Sequence, residues 1–206
     1  MYTPHFYEVE DRARVADFIG QHDFGTLVIS DKGVPVASHL LMHLETAPDG
    51  SWLVSGHMAR ANPLWRVFDP LKEVLLIFGG PNAYISPTWY SQLNVPTWNY
   101  MAVHLYGLPR AIDGGDELRD ILSKLVKRYE AKTDYRMETL PSDFVEKQLK
   151  GVVGFEIRVT RTEASFKLSQ NRNAEDHANV IRQLDRRGDE QSVAIASEMK
   201  KNKKAD

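Results

Sequence analysis

The sequence predicts a mainly β fold with added helices, an antiparallel barrel, and three observations carry that reading. Apolar and β-branched runs recur between short turn signals from Gly25 to Ile112. The period then changes to that of an amphipathic helix from Asp116 to about Ala131. A further β-branched run, Val152 to Thr162, comes after the helical stretch, so the sheet is closed by a late strand.

Taken in order, Asp11 is placed to cap a short helix over Arg12 to Gln21, whose Val15, Phe18 and Ile19 share one face. Strands are expected at Gly25 to Ser30, Pro35 to Leu44, Ser51 to Ser55, Val74 to Phe78 and Tyr100 to Ile112. Asp31-Lys32-Gly33, Pro48-Asp49-Gly50 and Gly79-Gly80-Pro81-Asn82 supply the turns between them, which reads as a meander. Leu118, Ile121, Leu122, Leu125 and Val126 form the apolar stripe of the helix that starts at Asp116. A second helix covers about Ser142 to Lys150 and is stopped by Gly151. Asn173 caps a helix running to Gly188, and Asp189 restarts another to about Lys201. The whole of 1–206 reads as one domain with helical additions at about 116–150 and 173–201. The lysine-rich end from Lys200, and 202–206 in particular, is expected to be disordered.

A chain of 206 residues with 42% hydrophobic content can bury a sizeable core. Lys plus Arg at 26 against Asp plus Glu at 28 gives a formal net charge of -2, so no global positive field draws nucleic acid or an anionic membrane. The absence of cysteine excludes disulfides, thiolate metal sites and cysteine nucleophiles. The start has neither a basic segment nor an apolar one, and no run approaches the ~20 apolar residues of a membrane span. The expectation is a cytoplasmic protein without membrane contact.

One segment has the residue types of an anion site. In Gly56 to Pro63 a strand end meets a loop with His57 and Arg60, then Asn62 and Pro63, a cap and first-turn pair that marks a helix start. A helix N-terminus beside a guanidinium suits a phosphate dianion, which arginine can grip through two N–H groups. An ordinary surface arginine, a loop histidine and a plain cap account for the same spacing. His39 and His43 lie four apart on one strand, about 13 Å at strand rise, too far for one metal ion. No metal site, Rossmann fingerprint or nucleophile elbow is present in the sequence.

The blocks M-Y-T-P-H-F, F-G-T-L-V-I-S, S-G-H-M-A-R-A-N-P-L-W, F-G-G-P-N-A-Y-I-S-P-T-W-Y, V-P-T-W-N-Y-M-A-V-H-L-Y-G and F-K-L-S-Q-N-R, in this order, resemble the PaiB-type FMN-binding negative transcriptional regulators. The resemblance runs from Met1 to about Met199, with departures at Leu41 and at Ala164-Ser165. It implies an FMN-binding split β-barrel, similar to pyridoxamine-phosphate-oxidase-like proteins, and a homodimer whose interface builds two flavin sites. It also implies a phosphate grip at Ser55, His57 and Arg60, with Asn62 supporting the helix; His39 on its strand is either a flavin-side residue or a cavity-facing or exposed histidine. Trp98 and Tyr100 become flavin or dimer-interface candidates, since aromatic rings with polar tips suit a flat isoalloxazine. Lys167, Ser169 and Gln170 concentrate donors where a cation would stabilise a reduced flavin.

The resemblance leads to two functions. One is a flavin- or redox-sensing regulator acting on DNA or through a partner protein, for which Arg182, Arg186, Arg187 and the terminal lysines are the basic patches. The other is a flavin-dependent oxidoreductase acting on a small aromatic or cofactor-like substrate.

Overall fold

The structure, a computed structural model, describes residues 1–202. Its helices are α1 (Arg12–Gln21), α2 (Gly115–Tyr129), α3 (Ser142–Leu149), α4 (Ala174–Arg187) and α5 (Glu190–Lys201). Its strands are β1 (Phe24–Asp31), β2 (Val34–Thr46), β3 (Trp52–Ala59), β4 (Val74–Ile85), β5 (Thr97–Ile112) and β6 (Val152–Lys167). They close a barrel in the order β1-β2-β3-β6-β5-β4. The fold is therefore the split β-barrel with added helices that the sequence predicts. The expected meander holds within each half only: β1 to β3 are consecutive neighbours, as are β4 to β6, and the seams are β3 against β6 and β1 against β4.

Two compact units divide the chain, one of residues 19–78 and 104–162, the other of 1–18, 79–103 and 163 onward. In the first, Leu27, Val54, Met58, Leu76, Phe155 and Ile157 are buried. Alternation along β3 turns Trp52, Val54, Gly56 and Met58 to the barrel interior and Ser55 and His57 to the other face. Helix α2 buries Leu118, Ile121 and Leu125 with Ile112, against Leu41, Leu149 and Val152. It sits directly over Gly154, where an added Cβ would lie 2.9 Å from Leu118.

In the second unit, α4 buries Val180, Ile181 and Leu184 and α5 buries Ile195, Ala196 and Met199. The caps are those the sequence announces: Asn173 accepts from the Asp176 amide, Asp189 from the Ser192 amide, and Gly188 takes the left-handed conformation at φ 74°. The N-terminal segment runs beside the end of β6, with Val9 N–H donating to the Ala164 carbonyl at 3.1 Å. Phe18 packs on Phe166 with ring centroids 5.0 Å apart.

Three expectations are corrected. Gly56 to Ala59 is strand, not loop, because β3 keeps its ladder to β6 as far as Ala59 against Val152. Gly79 to Asn82 is also strand, inside β4. Pro81 has no N–H to give and the Asn82 amide donates to the Gln191 side chain at 3.0 Å, so turn-type residues are tolerated where the chain does not donate to a ladder. At the C-terminus, Lys200 and Lys201 belong to α5 and Asn202 caps it; residues 203–206 of the expected tail lie outside the described residues.

Candidate functional site

In the first unit the expected phosphate segment is built from the end of β3 and the turn after it. Asn62 caps as expected, its side chain accepting from the Leu64 amide at 3.0 Å, but the element it caps is only a five-residue 3-10 helix, Pro63–Val67. So short a helix has almost no dipole to offer an anion. The amide nitrogen of the Asn62 side chain is also committed, donating to the Ser38 hydroxyl at 2.9 Å.

Arg60 is tied down more than its place in a loop suggests. Its Nε donates to the Lys150 carbonyl at 2.8 Å, and its Nη2 to Asp113 Oδ1 at 2.6 Å and the Val152 carbonyl at 3.0 Å. The hydrogen bond from Arg60 holds the Asp113 carboxyl below its ordinary range. A two-pronged grip by Arg60 is therefore closed, and only Nη1 remains for a ligand.

Ser55 and His57 lie on the β3 face opposite the barrel interior. His57 pairs in register with Gly154, the residue α2 covers. Its Nδ1 is buried and unpartnered, and burial pushes its pKa below that of a free imidazole. His43, on the same face, is lowered chiefly by burial, with Glu45 opposing. A histidine whose folded pKa is depressed contributes stability above its unfolded value, about 6.5, which is lost as pH falls from there toward the folded value. Melting temperature is thus expected to fall on acidification below about pH 6.5, and less so in His57→Gln. Identical pH slopes for the two proteins would show that His57 is not the source.

His39 is exposed on the hairpin of β1 and β2, where Nδ1 meets the Thr26 hydroxyl at 2.9 Å and the ring lies beside Phe24.

The remaining candidates lie in the second unit. Trp98 is exposed and meets Tyr84 edge-on, with centroids 6.0 Å apart. Tyr100 is partly buried, 3.5 Å from the Ser165 hydroxyl. Lys167 ends β6 and donates to the Thr97 hydroxyl. Strand alternation would carry Lys167 and Ser169 on one face, but it stops there, because Ser169 takes a left-handed backbone, φ 62°. Its hydroxyl is buried on Asn99, 2.9 Å from Nδ2, and the Gln170 amide bonds the Leu168 N–H and the Phe166 carbonyl. Ser169 and Gln170 therefore build the turn: the one Ser169 O–H is spent on Asn99 Oδ1, and the Gln170 amide keeps a single N–H beyond its bond to the Phe166 carbonyl. Tyr7, Tyr90, Asn99 and Arg172 gather beside these residues; the only hint of them in sequence is the density of aromatics and the arginine closing K-L-S-Q-N-R.

Residues 1–161 match the family model described as "Putative FMN-binding domain". The chain belongs to this FMN-binding family. It is 42% identical over 186 residues to "Protease synthase and sporulation protein PAI 2" of Bacillus subtilis, covering 89% of each chain. An uncharacterised protein of Saccharomyces cerevisiae is 34% identical over 119 residues, 53% of this chain and 70% of the yeast protein. Among solved structures, a flavocytochrome from Azotobacter vinelandii superimposes with TM-score 0.61 at 15% identity, over 84% of this chain and 76% of that one. An FAD and heme binding protein from Mycobacterium smegmatis does so with TM-score 0.58 at 13% identity, over 84% and 78%. These two share the fold.

FMN is the cofactor of the family, and the donors of the first unit fit its phosphate in kind: the unengaged Nη1 of Arg60 and the unpartnered Nδ1 of His57. Among the described residues no helix is long and apolar enough to cross a membrane.

Proposed function

We propose that the chain is an FMN-binding regulatory protein that works as a homodimer, with the flavin phosphate held at the end of β3. Membership of the FMN-binding family carries this reading. Arg60 Nη1 would supply the charged hydrogen bond, while Ser55 and the neutral His57 complete the donor set from the same strand. Asn62 and the committed donors of Arg60 hold that end of the strand in place. Bound FMN would supply redox chemistry; these residues bind and orient it.

The purified protein is expected to be yellow and to release FMN on denaturation. Arg60→Ala should weaken FMN binding by about tenfold to a hundredfold, the range of a lost charge-assisted hydrogen bond. Quenching of flavin fluorescence measures it, and an unchanged affinity removes the assignment.

The hairpin of β1 and β2 favours a second copy of the chain as partner. It exposes Phe24 and Val34 at 70% and 61%, together with Pro35 and Ala37. Light scattering on the eluting protein should give a dimer, and Phe24→Glu or Val34→Glu should shift it to monomer; monomeric wild type would refute the dimer.

Regulation is proposed to act through a bound metabolite or a protein partner. The cations of α4 and α5 favour this over direct DNA contact, because most are already engaged. Lys200 pairs with Asp185 and Lys201 with Glu198, while Arg187 donates to the Tyr84 carbonyl and the Ser192 hydroxyl. The name of the Bacillus relative ties that protein to protease synthesis and sporulation, which suits a regulatory role. A gel-shift titration at low salt with upstream DNA should give no site-specific complex. A complex that persists with increasing salt would overturn the indirect route.

A further inference from the structure

We propose that the second unit carries a binding site for a small aryl carboxylate, formed by Tyr7, Tyr90, Tyr100, Lys167 and Arg172. It stands independently of the flavin reading. Two cations feel each other's charge there, and neither Lys167 nor Arg172 makes a salt bridge to a carboxylate among the described residues. The Lys167 ammonium donates to the Thr97 hydroxyl and lies 5.7 Å from the centroid of the Tyr7 ring. Burial, and then the charge of Arg172, pull its pKa down. Asp176 feels the Arg172 charge, but its oxygens are occupied by the Ser91 amide at 2.7 Å and by the side-chain amide of Asn173 at 3.2 Å. A partly desolvated amine facing a guanidinium is an unfavourable arrangement that one bound carboxylate relieves.

The aromatic residues define the rest of the ligand. The Arg172 guanidinium lies 4.7 Å from the centre of the Tyr90 ring. Tyr90 is only 8% exposed and its hydroxyl is buried with no partner, an expensive state for a phenol. Tyr7 is 9% exposed, and it senses Arg172, Tyr90 and Tyr100 together, so these groups converge on one place. Three phenol rings supply aromatic surface for an aromatic body, and the unpartnered Tyr90 hydroxyl is the group a polar substituent on it would satisfy. The turn that positions the two cations is rigidly made. Ser169 is held left-handed by Asn99, fully buried, and the Arg172 amide donates to the Ser169 carbonyl at 3.0 Å. A strained non-glycine residue kept in place by a buried amide is characteristic of a ligand-positioning turn.

The test is calorimetric titration of full-length protein, FMN-free and FMN-saturated, with benzoate, 4-hydroxybenzoate and inorganic phosphate. Both aryl carboxylates are expected to bind saturably in both forms, and phosphate more weakly by at least about tenfold. Lys167→Met and Arg172→Met should each weaken benzoate by about tenfold or more, with FMN affinity unchanged in Arg172→Met. Tyr90→Phe keeps the packing and removes only the hydroxyl; it should selectively weaken 4-hydroxybenzoate, whether or not the charge variants fold. No saturable binding of either aryl carboxylate overturns the proposal. So does phosphate binding as tightly as benzoate, which makes the cluster a plain oxyanion site. Loss of FMN binding in folded Lys167→Met or Arg172→Met assigns the cluster to the flavin and also overturns it. Failure of Arg60→Ala to affect FMN leaves these outcomes untouched.

Discussion

Phe155→Ala is expected to destabilise the protein by about 3–5 kcal/mol, the cost of removing a buried aromatic ring and leaving a cavity. Phe155 is fully buried, meets Phe68 edge-on with centroids 6.4 Å apart, and its ring tip occupies the space above Gly56. Both sides of the barrel seam depend on it. It stands on β6, it fills the hollow of β3 across the closing pair, and its register partner is Gly56 itself. Urea unfolding followed by circular dichroism measures the loss. A change under about 1 kcal/mol would mean that the site collapses around the deletion.

Adding one carbon on the other side of the same contact should also be costly. In Gly56→Ala the new Cβ would lie 2.5 Å from Phe155 Cζ and 2.7 Å from the Leu41 carbonyl oxygen. The ring could tilt away, but the carbonyl is part of the β2 backbone beside the β2–β3 ladder, so about 1–3 kcal/mol is expected. Gly79→Ala is the matched control. It is also a strand glycine, and its Cβ would have nothing within 4 Å. It should be neutral or slightly stabilising through the unfolded chain. Equal losses in the two alanine variants would defeat the steric explanation.

Much of the architecture was legible in the sequence because its signals are local. The period change at Asp116, the caps at Asn173 and Asp189 and the stop at Gly188 need only neighbouring residues, and the structure places those helix ends within a residue or so. Strand order was not legible. Nothing near Leu53 says that its partner is Arg158, since pairing across the chain depends on complementary faces, not on spacing. The misread stretches, Gly56 to Ala59 and Gly79 to Asn82, carry turn-type residues for packing or edge reasons that only the neighbouring strands reveal.

The candidate site was legible in kind and not in detail. His57 and Arg60 stand out as a donor set from their spacing. That two of Arg60's three nitrogens serve carbonyls and a carboxylate at 113 and 150–152 depends on contacts far along the chain. The same holds for Ser169 and Gln170, which look like free donors and are engaged by the turn they make. Tyr7 and Tyr90 were invisible as partners because an N-terminal segment and a loop before β5 have no pattern that pairs them with Arg172.

The seam between β3 and β6 also dictates how the chain must be made. During synthesis β3 emerges early, paired on one side with β2, while the strand that covers its other edge comes only after α2 and α3. Until the ribosome has released residues beyond Val152, the nascent chain presents an open apolar edge to its surroundings. The closing pair, Leu53 with Arg158, is separated by about half the chain, and contacts of such long range slow folding.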